Sequence, residues 1–524
     1  MLYWKVVLIF SIAFLLFILY YFRGQLYYVW SNLKESFPLI QQNKIISVSL
    51  LLIIVLAIVN LIGALGPELA FDALWYHLTL PKIYLTTHTI AHIPGGLLYY
   101  SDMPKLGELL YVSALSFGSE IYAKVIHWFF GILCLIVMYK IARRFFSQEL
   151  SLIAVLIFYS NLVVSWESIT AYIDLIRAFF ELLALWSFLF WWEVKRKKWF
   201  VLSAIMIGLA VSTKVLAIGS IMIFSVLLLY KFVIKENSWI QGIKYLLSYW
   251  TIALLIPMPW FVFAYVNTGN PLYPIFSEIL SGVNAKIFDI SLLNPLHILT
   301  TFWNVFTWAS DPLSPIYIIF LPLIIWLYKY TPKHLRILYA YSILAAGVWY
   351  STSQVEGSRL LIPYLPVFSI LCASVLSFYF TRREKYKFAL LIALVMFVSL
   401  TTIGYRFLAN VKYLPVILGQ QTKAEFLQNN LDFSFGDFYD VDGYFSREIK
   451  SDDKVLLMGF HNLYYVDFPY IHDSWLQKED EYNYIAVQDG ELPQNYTSWK
   501  LIYENKTTNV KLYSDSSFTN DKIE

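Results

Sequence analysis

The chain has 524 residues, of which 59% are hydrophobic and only 14% are charged, and its net charge is +3. A soluble protein carries about 25% charged residues, so the apolar excess must face lipid and the chain is predicted to be a polytopic α-helical membrane protein. The small, dispersed charge gives no reason to expect a nucleic-acid partner. Cys134 and Cys372 lie in apolar runs and are predicted to be buried hydrophobes rather than a disulfide.

Twelve apolar runs are candidates for membrane spans, each of which needs about 17–25 residues. They lie near 3–22, 45–65, 121–141, 150–166, 173–192, 199–212, 214–230, 244–266, 315–329, 336–352, 359–380 and 387–408. Basic clusters fall in alternate loops, which are therefore predicted to be cytoplasmic. The remaining loops, predicted to be external, are 66–120, 167–172, 267–314 and 353–358. The N-terminus is then outside as well.

The chain changes character near residue 410. The stretch 410–524 is rich in Asp, Asn, Ser and Tyr and contains no spanning run. A helix is predicted over 421–431, and short apolar pieces predict strands at 455–458, 484–487 and 510–513. We therefore expect a transmembrane domain over 1–409 and a small soluble α/β domain over 410–524, outside the membrane.

The first external loop opens with Phe71-Asp-Ala-Leu-Trp-Tyr-His-Leu78, soon after a span. Asp72 is a candidate general base, because desolvation at a membrane edge raises the pKa of a carboxyl and strengthens it as a base. Tyr76 and His77 are candidate substrate-binding residues. The alternative for Asp72 is a helix N-cap, and spacing alone leaves both interpretations open.

A second group of ionisable residues opens a later span. Asp174, Arg177 and Glu181 are spaced i, i+3 and i+7 and so share one helical face. Charged groups within a span are costly and face an interior or a cavity. Asp174, at the external end, is a second catalytic candidate. For Arg177 and Glu181 a structural charge cluster that packs helices is the competing interpretation.

External cations are candidates for binding a lipid phosphate, whose charge grows as it leaves the sugar. They are Lys82, Lys105 and Arg359, with Lys214 as a weaker candidate. The alternative for each is snorkelling of the side chain to the membrane interface.

A divalent metal ion held by Asp72, His77 or Glu108 is a further hypothesis. No compact metal-binding spacing such as His-Glu-X-X-His is present to support it. His127, inside a span, is predicted to make an interhelical hydrogen bond. Glu108 is also a candidate substrate-binding residue.

These residues resemble motifs of the GT-C superfamily of membrane glycosyltransferases, in the branch of the protein O-mannosyltransferases and aminoarabinose transferases. Four local matches and the soluble external domain carry the resemblance. The matches are Asp72 soon after a span, Met103-Pro-Lys-Leu-Gly-Glu108 in the same loop, Asp174 in Ala-Tyr-Ile-Asp-Leu, and Arg359-Leu-Leu-Ile-Pro363.

The resemblance implies a role for four of these residues. Asp72 would be the catalytic base and Asp174 a supporting acid near the acceptor. Lys105 and Arg359 would contact the lipid phosphate, and direct displacement would invert the anomeric centre. Ala73 stands where many relatives have a second acid, and Trp75 where aminoarabinose transferases often have Arg, so neither the sugar nor the acceptor carries over.

The sequence thus predicts a multi-pass glycosyltransferase of the plasma membrane. Its donor is a polyprenyl-phosphate-linked sugar, and its acceptor is a lipid, glycan or protein on the extracytoplasmic face. A transporter or flippase for lipid-linked sugars and a glycan polymerase or ligase are the alternatives. A transporter should show paired inverted halves, whereas the Asp72 loop has no counterpart in the second half of the chain.

Overall fold

The computed structural model describes residues 3–18, 20, 21, 23, 24, 43–275, 277, 294–307, 312–352 and 357–515. The fold of this part is mostly helical, with a small sheet near the C-terminal end. Its helices are α1 Trp4–Ile18, α2 Lys44–Ala64, α3 Thr79–Thr87, α4 Leu106–Leu115, α5 Glu120–Ala142, α6 Gln148–Tyr159, α7 Leu162–Glu167, α8 Asp174–Val194, α9 Lys197–Thr213, α10 Ile218–Leu229, α11 Trp239–Leu255, α12 Met258–Thr268, α13 Pro295–Thr307, α14 Ile316–Leu327, α15 Arg336–Tyr350, α16 Leu365–Thr381, α17 Lys385–Asn410, α18 Leu414–Ile417, α19 Lys423–Asn430 and α20 Tyr444–Glu448.

Among the described residues, five helices are long and apolar enough to cross a membrane. These are α2, α5, α8, the run Val215–Lys235 that contains α10, and the run Lys385–Ile417 that contains α17. A sixth span is formed if α11 and α12, bent by 67° at their junction, count as one. The chain is therefore membrane-embedded, but the predicted total of about twelve spans is not confirmed.

The remaining predicted spans contain shorter helices. The run 150–166 is divided into α6 and α7 at Ser160 and Asn161, and the Asn161 side chain bonds to the carbonyls of Ile157 and Phe158. An amide that competes for backbone groups in this way favours a helix end. Parts of the predicted span 3–22 and of the loops 267–314 and 353–358 lie outside the described residues.

The end of α2 is fixed by a buried cation. The ammonium of Lys124, on α5, donates to the carbonyl oxygens of Gly63, Gly66 and Pro67 at 3.0, 2.7 and 2.9 Å. These carbonyls lie at and beyond the last turn of α2, where the helix no longer supplies the usual backbone N–H four residues ahead. Lys124 therefore sets where the chain enters the loop 66–120, called loop 1 below.

The strands near the C-terminus form one mixed sheet. They are β1 Val455–Met458, β2 Tyr470–His472, β3 Tyr484–Gln488, β4 Lys500–Asn505 and β5 Val510–Ser514. The order is β2-β1-β3-β5-β4, with β1 parallel to β2 and β3, and β5 antiparallel to β3 and β4. The three predicted strands are confirmed; β2 and β4 were not predicted.

The helix predicted at 421–431 is present as α19. It begins with a capping box. The Thr422 hydroxyl accepts the backbone N–H of Glu425, and the Glu425 carboxylate accepts the backbone N–H of Thr422. We call residues 423–514 the C-terminal unit. Its residues Phe426 and Leu427 share a buried core with Leu74 and Leu78 of loop 1. The unit thus lies directly on the loop that carries Asp72.

Candidate active site

Asp72 directly precedes a single π-helical turn, Ala73–His77. Its backbone is already helical, with φ −63° and ψ −29°, and its side chain makes no capping hydrogen bond. The N-cap interpretation is therefore wrong for this residue. The carboxylate instead accepts from Arg359 Nη1, at 2.7 Å from Oδ2, and from the Tyr76 hydroxyl at 3.3 Å.

Arg359 brings the two predicted acids together. Its Nε lies 3.8 Å from Asp174 Oδ2, while its Nη1 donates to Asp72. Its guanidinium also lies 4.9 Å from the centre of the Tyr172 ring, in cation–π range. The Tyr172 hydroxyl accepts the backbone N–H of Asp72 at 3.2 Å. Sequence reasoning missed Tyr172, although it stands two residues before Asp174.

Asp174 is fully buried at the start of α8. The ammonium of Lys214 donates to its Oδ1 at 3.0 Å. Lys214 can reach Asp174 because the chain becomes extended between α9 and the short turn at 215–217, with φ −146° and ψ 120° at Lys214. The weakest of the cations predicted from the sequence is therefore a direct partner of the second acid.

A cavity of about 610 Å³ opens beside Asp72 and Arg359. It is lined by residues of loop 1, of α7 and the segment before α8, by Arg359, and by residues at and just after the end of α17. They are Glu68, Leu69, Ala70, Phe71, Asp72, Trp75, Tyr100, Trp166, Ile169, Thr170, Tyr172, Arg359, Arg406, Ala409, Asn410, Lys412 and Tyr413. The fully buried Asp174 lies behind Arg359.

Glu68 joins two walls of this cavity. Its Oε1 accepts the backbone N–H groups of Leu69 and Ala70, and its Oε2 accepts that of Ala171 at 2.6 Å. Burial raises the pKa of Glu68, while the charge of Lys124 and these hydrogen bonds act in the opposite direction. Glu68 therefore fixes loop 1 to the segment that leads into α8.

Two further cations line the cavity near the end of α17. Arg406 is buried and donates from Nη2 to Asn410 Oδ1 at 2.9 Å. Lys412 lies with its ammonium 5.4 Å from the centre of the Tyr413 ring. Sequence reasoning missed both. A signal was present, since positive charge at the external end of a predicted span runs against the usual cytoplasmic bias.

His77 and Glu108 are not among the residues that line the cavity beside Asp72. Their side chains are buried and pair with each other, with His77 Nδ1 2.7 Å from Glu108 Oε1. This pair joins the π-helical turn to α4. Their predicted roles in substrate binding stay predictions.

Lys105 and Lys82 are held by partners outside the cavity lining. Lys105 donates to the carbonyls of Ser101 and Met103 and lies over the Trp260 and Phe263 rings at 5.3 and 4.9 Å. Burial lowers its pKa to about 8.

Lys82 donates to the carbonyls of Tyr464 and Val466 and to the Asp467 carboxylate, all in the C-terminal unit. These contacts give Lys82 a place in docking the unit. Its predicted contact with substrate stays a prediction, as does that of Lys105.

The charged groups deeper in α8 form a separate network. Arg177 Nε donates to Glu181 Oε1 at 2.7 Å and Nη2 to the Tyr364 hydroxyl at 3.3 Å. His127 accepts the backbone N–H of Leu175 on Nε2 at 3.1 Å, which is an interhelical bond of the predicted kind. Among the described residues, no group of three or more His, Cys, Asp or Glu side chains is arranged to hold a metal.

Comparison with known proteins gives one family match. Residues 111–263 match the family described as dolichyl-phosphate-mannose-protein mannosyltransferase. No curated protein matches the chain.

Solved structures give likenesses over most of the chain. ArnT from Cupriavidus metallidurans in the apo state is similar with a TM-score of 0.60 and 13% identity, over 89% of this chain and 97% of that one. The same protein bound to undecaprenyl phosphate has a TM-score of 0.59 and 12% identity, with the same coverage. A third structure is the archaeal oligosaccharyltransferase AglB from Archaeoglobus fulgidus, in complex with an inhibitory peptide and a dolichol-phosphate. Its TM-score is 0.48 and its identity 13%, over 89% of this chain and 74% of that one.

At these identities the ArnT structures establish a shared fold, and the family match adds a likeness in sequence over part of the helical region. The chain is thus similar to the mannosyltransferase family over residues 111–263 and to ArnT in its fold over most of its length.

Proposed function

We propose that this protein moves a sugar from a polyprenyl-phosphate donor to an acceptor on the extracytoplasmic face of the membrane, with Asp72 as the general base. The observation that carries the proposal is the meeting of Asp72 and Arg359, 287 residues apart, in the wall of one cavity. A carboxylate beside a guanidinium supplies a base for a nucleophile and a cation for a phosphate.

The similar family and one of the similar structures support the choice of donor. The matched family is described by dolichyl phosphate mannose, and ArnT was solved with undecaprenyl phosphate bound. Both names contain an isoprenoid phosphate. A sugar carried on such a lipid reaches a cavity at the membrane boundary without leaving the bilayer.

The proposed reaction is a single displacement. Asp72 takes the proton from a hydroxyl or amine of the acceptor as the oxygen or nitrogen attacks the anomeric carbon. The bond from that carbon to the phosphate oxygen breaks, and the polyprenyl phosphate leaves with the electron pair. Because attack and departure are on opposite faces, the anomeric configuration inverts.

The cations would stabilise the departing phosphate. A guanidinium has five N–H donors, so Arg359 can contact Asp72 and a phosphate together. Arg406 and Lys412 add positive charge to the same cavity. Asp174, held by Lys214, would keep Arg359 in position, and the rings of Trp75 and Tyr100 offer apolar faces for the sugar.

The test is Asp72→Asn, assayed in membranes supplied with polyprenyl-phosphate-linked sugars and candidate acceptors. Loss of a general base lowers kcat by roughly 10²- to 10⁴-fold, and we expect normal protein level and little change in the KM for the donor. The matched control is Asp102→Asn, since Asp102 is a buried loop 1 carboxylate that pairs with His92 outside the cavity lining.

A kcat for Asp72→Asn within about threefold of the parent would remove Asp72 from the reaction, since a general base contributes far more than this. Movement of lipid-linked sugar across the membrane without transfer would favour the transporter instead. Reduced stability of Asp102→Asn with a normal kcat is expected.

A further inference from the structure

The C-terminal unit reaches the Asp72 turn through residues 461–467, which we call the clamp segment. The imidazole of His461 stacks on the Phe71 ring, with centroids 4.8 Å apart and planes at 26°. The same imidazole packs against the Trp75 ring, with a centroid distance of 4.5 Å and an angle of 53° between the planes. Phe71 and Trp75 flank Asp72 in the sequence, and all three line the cavity. His461 therefore contacts two rings whose residues lie on either side of Asp72 in the sequence.

A second set of contacts holds the chain that follows Asp72. The backbone N–H of Tyr464 donates to the carbonyl of Leu74, inside the π-helical turn, at 3.3 Å. Lys82 donates to the carbonyls of Tyr464 and Val466 at 2.7 and 2.8 Å. Burial lowers the pKa of Lys82, while the charge of Asp467 acts in the opposite direction.

A third contact holds the chain that precedes Asp72. The Tyr465 hydroxyl accepts the backbone N–H of Glu68 at 3.1 Å and donates toward the Glu68 carbonyl and the Glu120 carboxylate, at 3.0 and 3.2 Å. The clamp segment thus contacts loop 1 four residues before Asp72 and two residues after it. The clamp segment is hydrogen-bonded to the backbone of loop 1 at Glu68 and at Leu74.

The clamp segment is itself held firmly within the C-terminal unit. The carbonyl of Gly436 accepts the N–H groups of His461 and Asn462 at 3.3 and 3.0 Å, and Asn462 donates to Asp437 at 2.6 Å. Gly436 has φ +84°, and a Cβ there would lie 2.6 Å from the His461 Cβ. A residue without a side chain is therefore required for this close approach.

His461 and Asp72 also lie within electrostatic range of each other. Burial lowers the pKa of His461, and the negative charge of Asp72 acts in the opposite direction. The imidazole Nδ1 is 3.0 Å from the Asn462 side-chain oxygen. The ring is therefore fixed in orientation as well as in position.

We propose that the clamp segment belongs to the catalytic centre and that His461 is a positioning residue, which holds Asp72 in place through Phe71 and Trp75. The inference rests on the proposed role of Asp72. A carboxylate that must reach an acceptor proton gains from rigid support, because a displacement of about 1 Å can cost about 100-fold in rate.

The first test compares His461→Ala with His461→Phe in the full chain. We expect Ala to lower kcat at least about tenfold, with the donor KM within about threefold of the parent, because the base is displaced while binding persists. Phe keeps an aromatic ring on Phe71 and Trp75 and should restore kcat to within about threefold. A merely structural role would lower protein level and thermal stability without this split.

The second readout does not depend on activity. Hydrogen exchange of the amides of residues 68–78 should become faster in His461→Ala and stay near the parent rate in His461→Phe. The matched control is His334→Ala, which removes another imidazole stacked on a phenylalanine. The rings of His334 and Phe145 have centroids 5.8 Å apart and planes at 5°. This control should leave both kcat and exchange in loop 1 unchanged.

Each outcome decides the proposal. Parent-like kcat and exchange in His461→Ala would overturn it. A Phe variant as impaired as the Ala variant would assign the effect to imidazole chemistry and also overturn the positioning role. If Asp72→Asn retains full transfer, the proposed function fails, while the exchange of residues 68–78 still decides whether the clamp segment holds the turn.

Discussion

Arg359 is the residue on which the candidate site depends. Its guanidinium contacts Asp72 at 2.7 Å and Asp174 at 3.8 Å, and its side chain is 10% exposed. Two carboxylates this close would repel each other without an intervening cation. Arg359 therefore stabilises both charges and places them on one side of the cavity.

Removing this cation should destabilise the protein. We expect Arg359→Gln to cost roughly 3–5 kcal/mol, the usual range when a buried ion pair loses one partner. The double variant Arg359→Gln/Asp72→Asn should recover part of the loss, because one uncompensated carboxylate is gone. Thermal inactivation in detergent measures the stability of the single and the double variant. Arg383→Gln, at an exposed position, is the control. Equal midpoints for the parent and Arg359→Gln would contradict the pairing.

Lys105 gives a prediction about pH. Burial lowers its pKa to about 8, so its positive charge is present below that pH and lost as the pH rises through it. If Lys105 contacts the lipid phosphate, the donor KM of the parent should rise above about pH 8, and that of Lys105→Arg, which keeps its charge, should not. A KM that stays flat to about pH 9.5 in both proteins would remove Lys105 from phosphate binding, since a lysine with this pKa would by then have lost its charge.

At the level of residues, the sequence draws attention to charged groups that are out of place in an apolar context, and their proposed roles stay predictions. Asp72, Asp174 and Arg359 stand out for that reason, and the structure brings them together. His461 was missed, because a lone His in a polar segment carries no such signal. Its importance comes from which elements meet, and periodicity within an element does not report that.

At the scale of elements, loop 1 is shaped by what packs on it. The C-terminal unit covers its hydrophobic side through Phe426 and Leu427, and the turn at Ser474 approaches Gly95 closely. Gly95 has φ +83°, and a Cβ there would lie 1.8 Å from the Ser474 carbonyl oxygen. At the neighbouring Gly96, by contrast, a Cβ would have no neighbouring atom within 4 Å among the described residues.

These two glycines give a matched pair of variants. Gly95→Ala should destabilise the contact by roughly 1–3 kcal/mol, because the Cβ forces the two backbones apart. Gly96→Ala should have little effect. Limited proteolysis of loop 1 measures the difference, with faster cleavage expected only in Gly95→Ala. Equal cleavage rates would contradict the close packing of the unit on loop 1.

Helix ends were harder to predict than helices. The spans now seen as α2, α5 and α8 were found within one or two residues, because a long apolar run leaves no alternative in lipid. The run 150–166 was not recognised as two helices, since Ser160 and Asn161 break it through side-chain bonds that hydropathy does not register. β2 was missed because it is only three residues long.

At the scale of the whole molecule, the alternation of basic loops predicts the sidedness of the membrane protein. The loop around Arg383 should be cytoplasmic and the C-terminal unit extracytoplasmic. Both native cysteines, Cys134 and Cys372, are free and buried, as predicted, so they contribute little background to thiol labelling.

Single cysteines at exposed positions test this orientation. Lys478→Cys should react with a membrane-impermeant maleimide in intact cells, because it lies in the C-terminal unit. Arg383→Cys should react only after the cells are made permeable. The reverse pattern would place the cavity beside Asp72 on the cytoplasmic side and contradict the proposed face of transfer.

The distance along the chain between Asp72 and its partners has a consequence for biosynthesis. The ribosome makes Asp72 early, but Arg359 follows 287 residues later and His461 later still. A partly synthesised chain therefore holds Asp72 without the cation that pairs with it in the folded protein. The proposed centre can therefore be complete only after synthesis has passed residue 461.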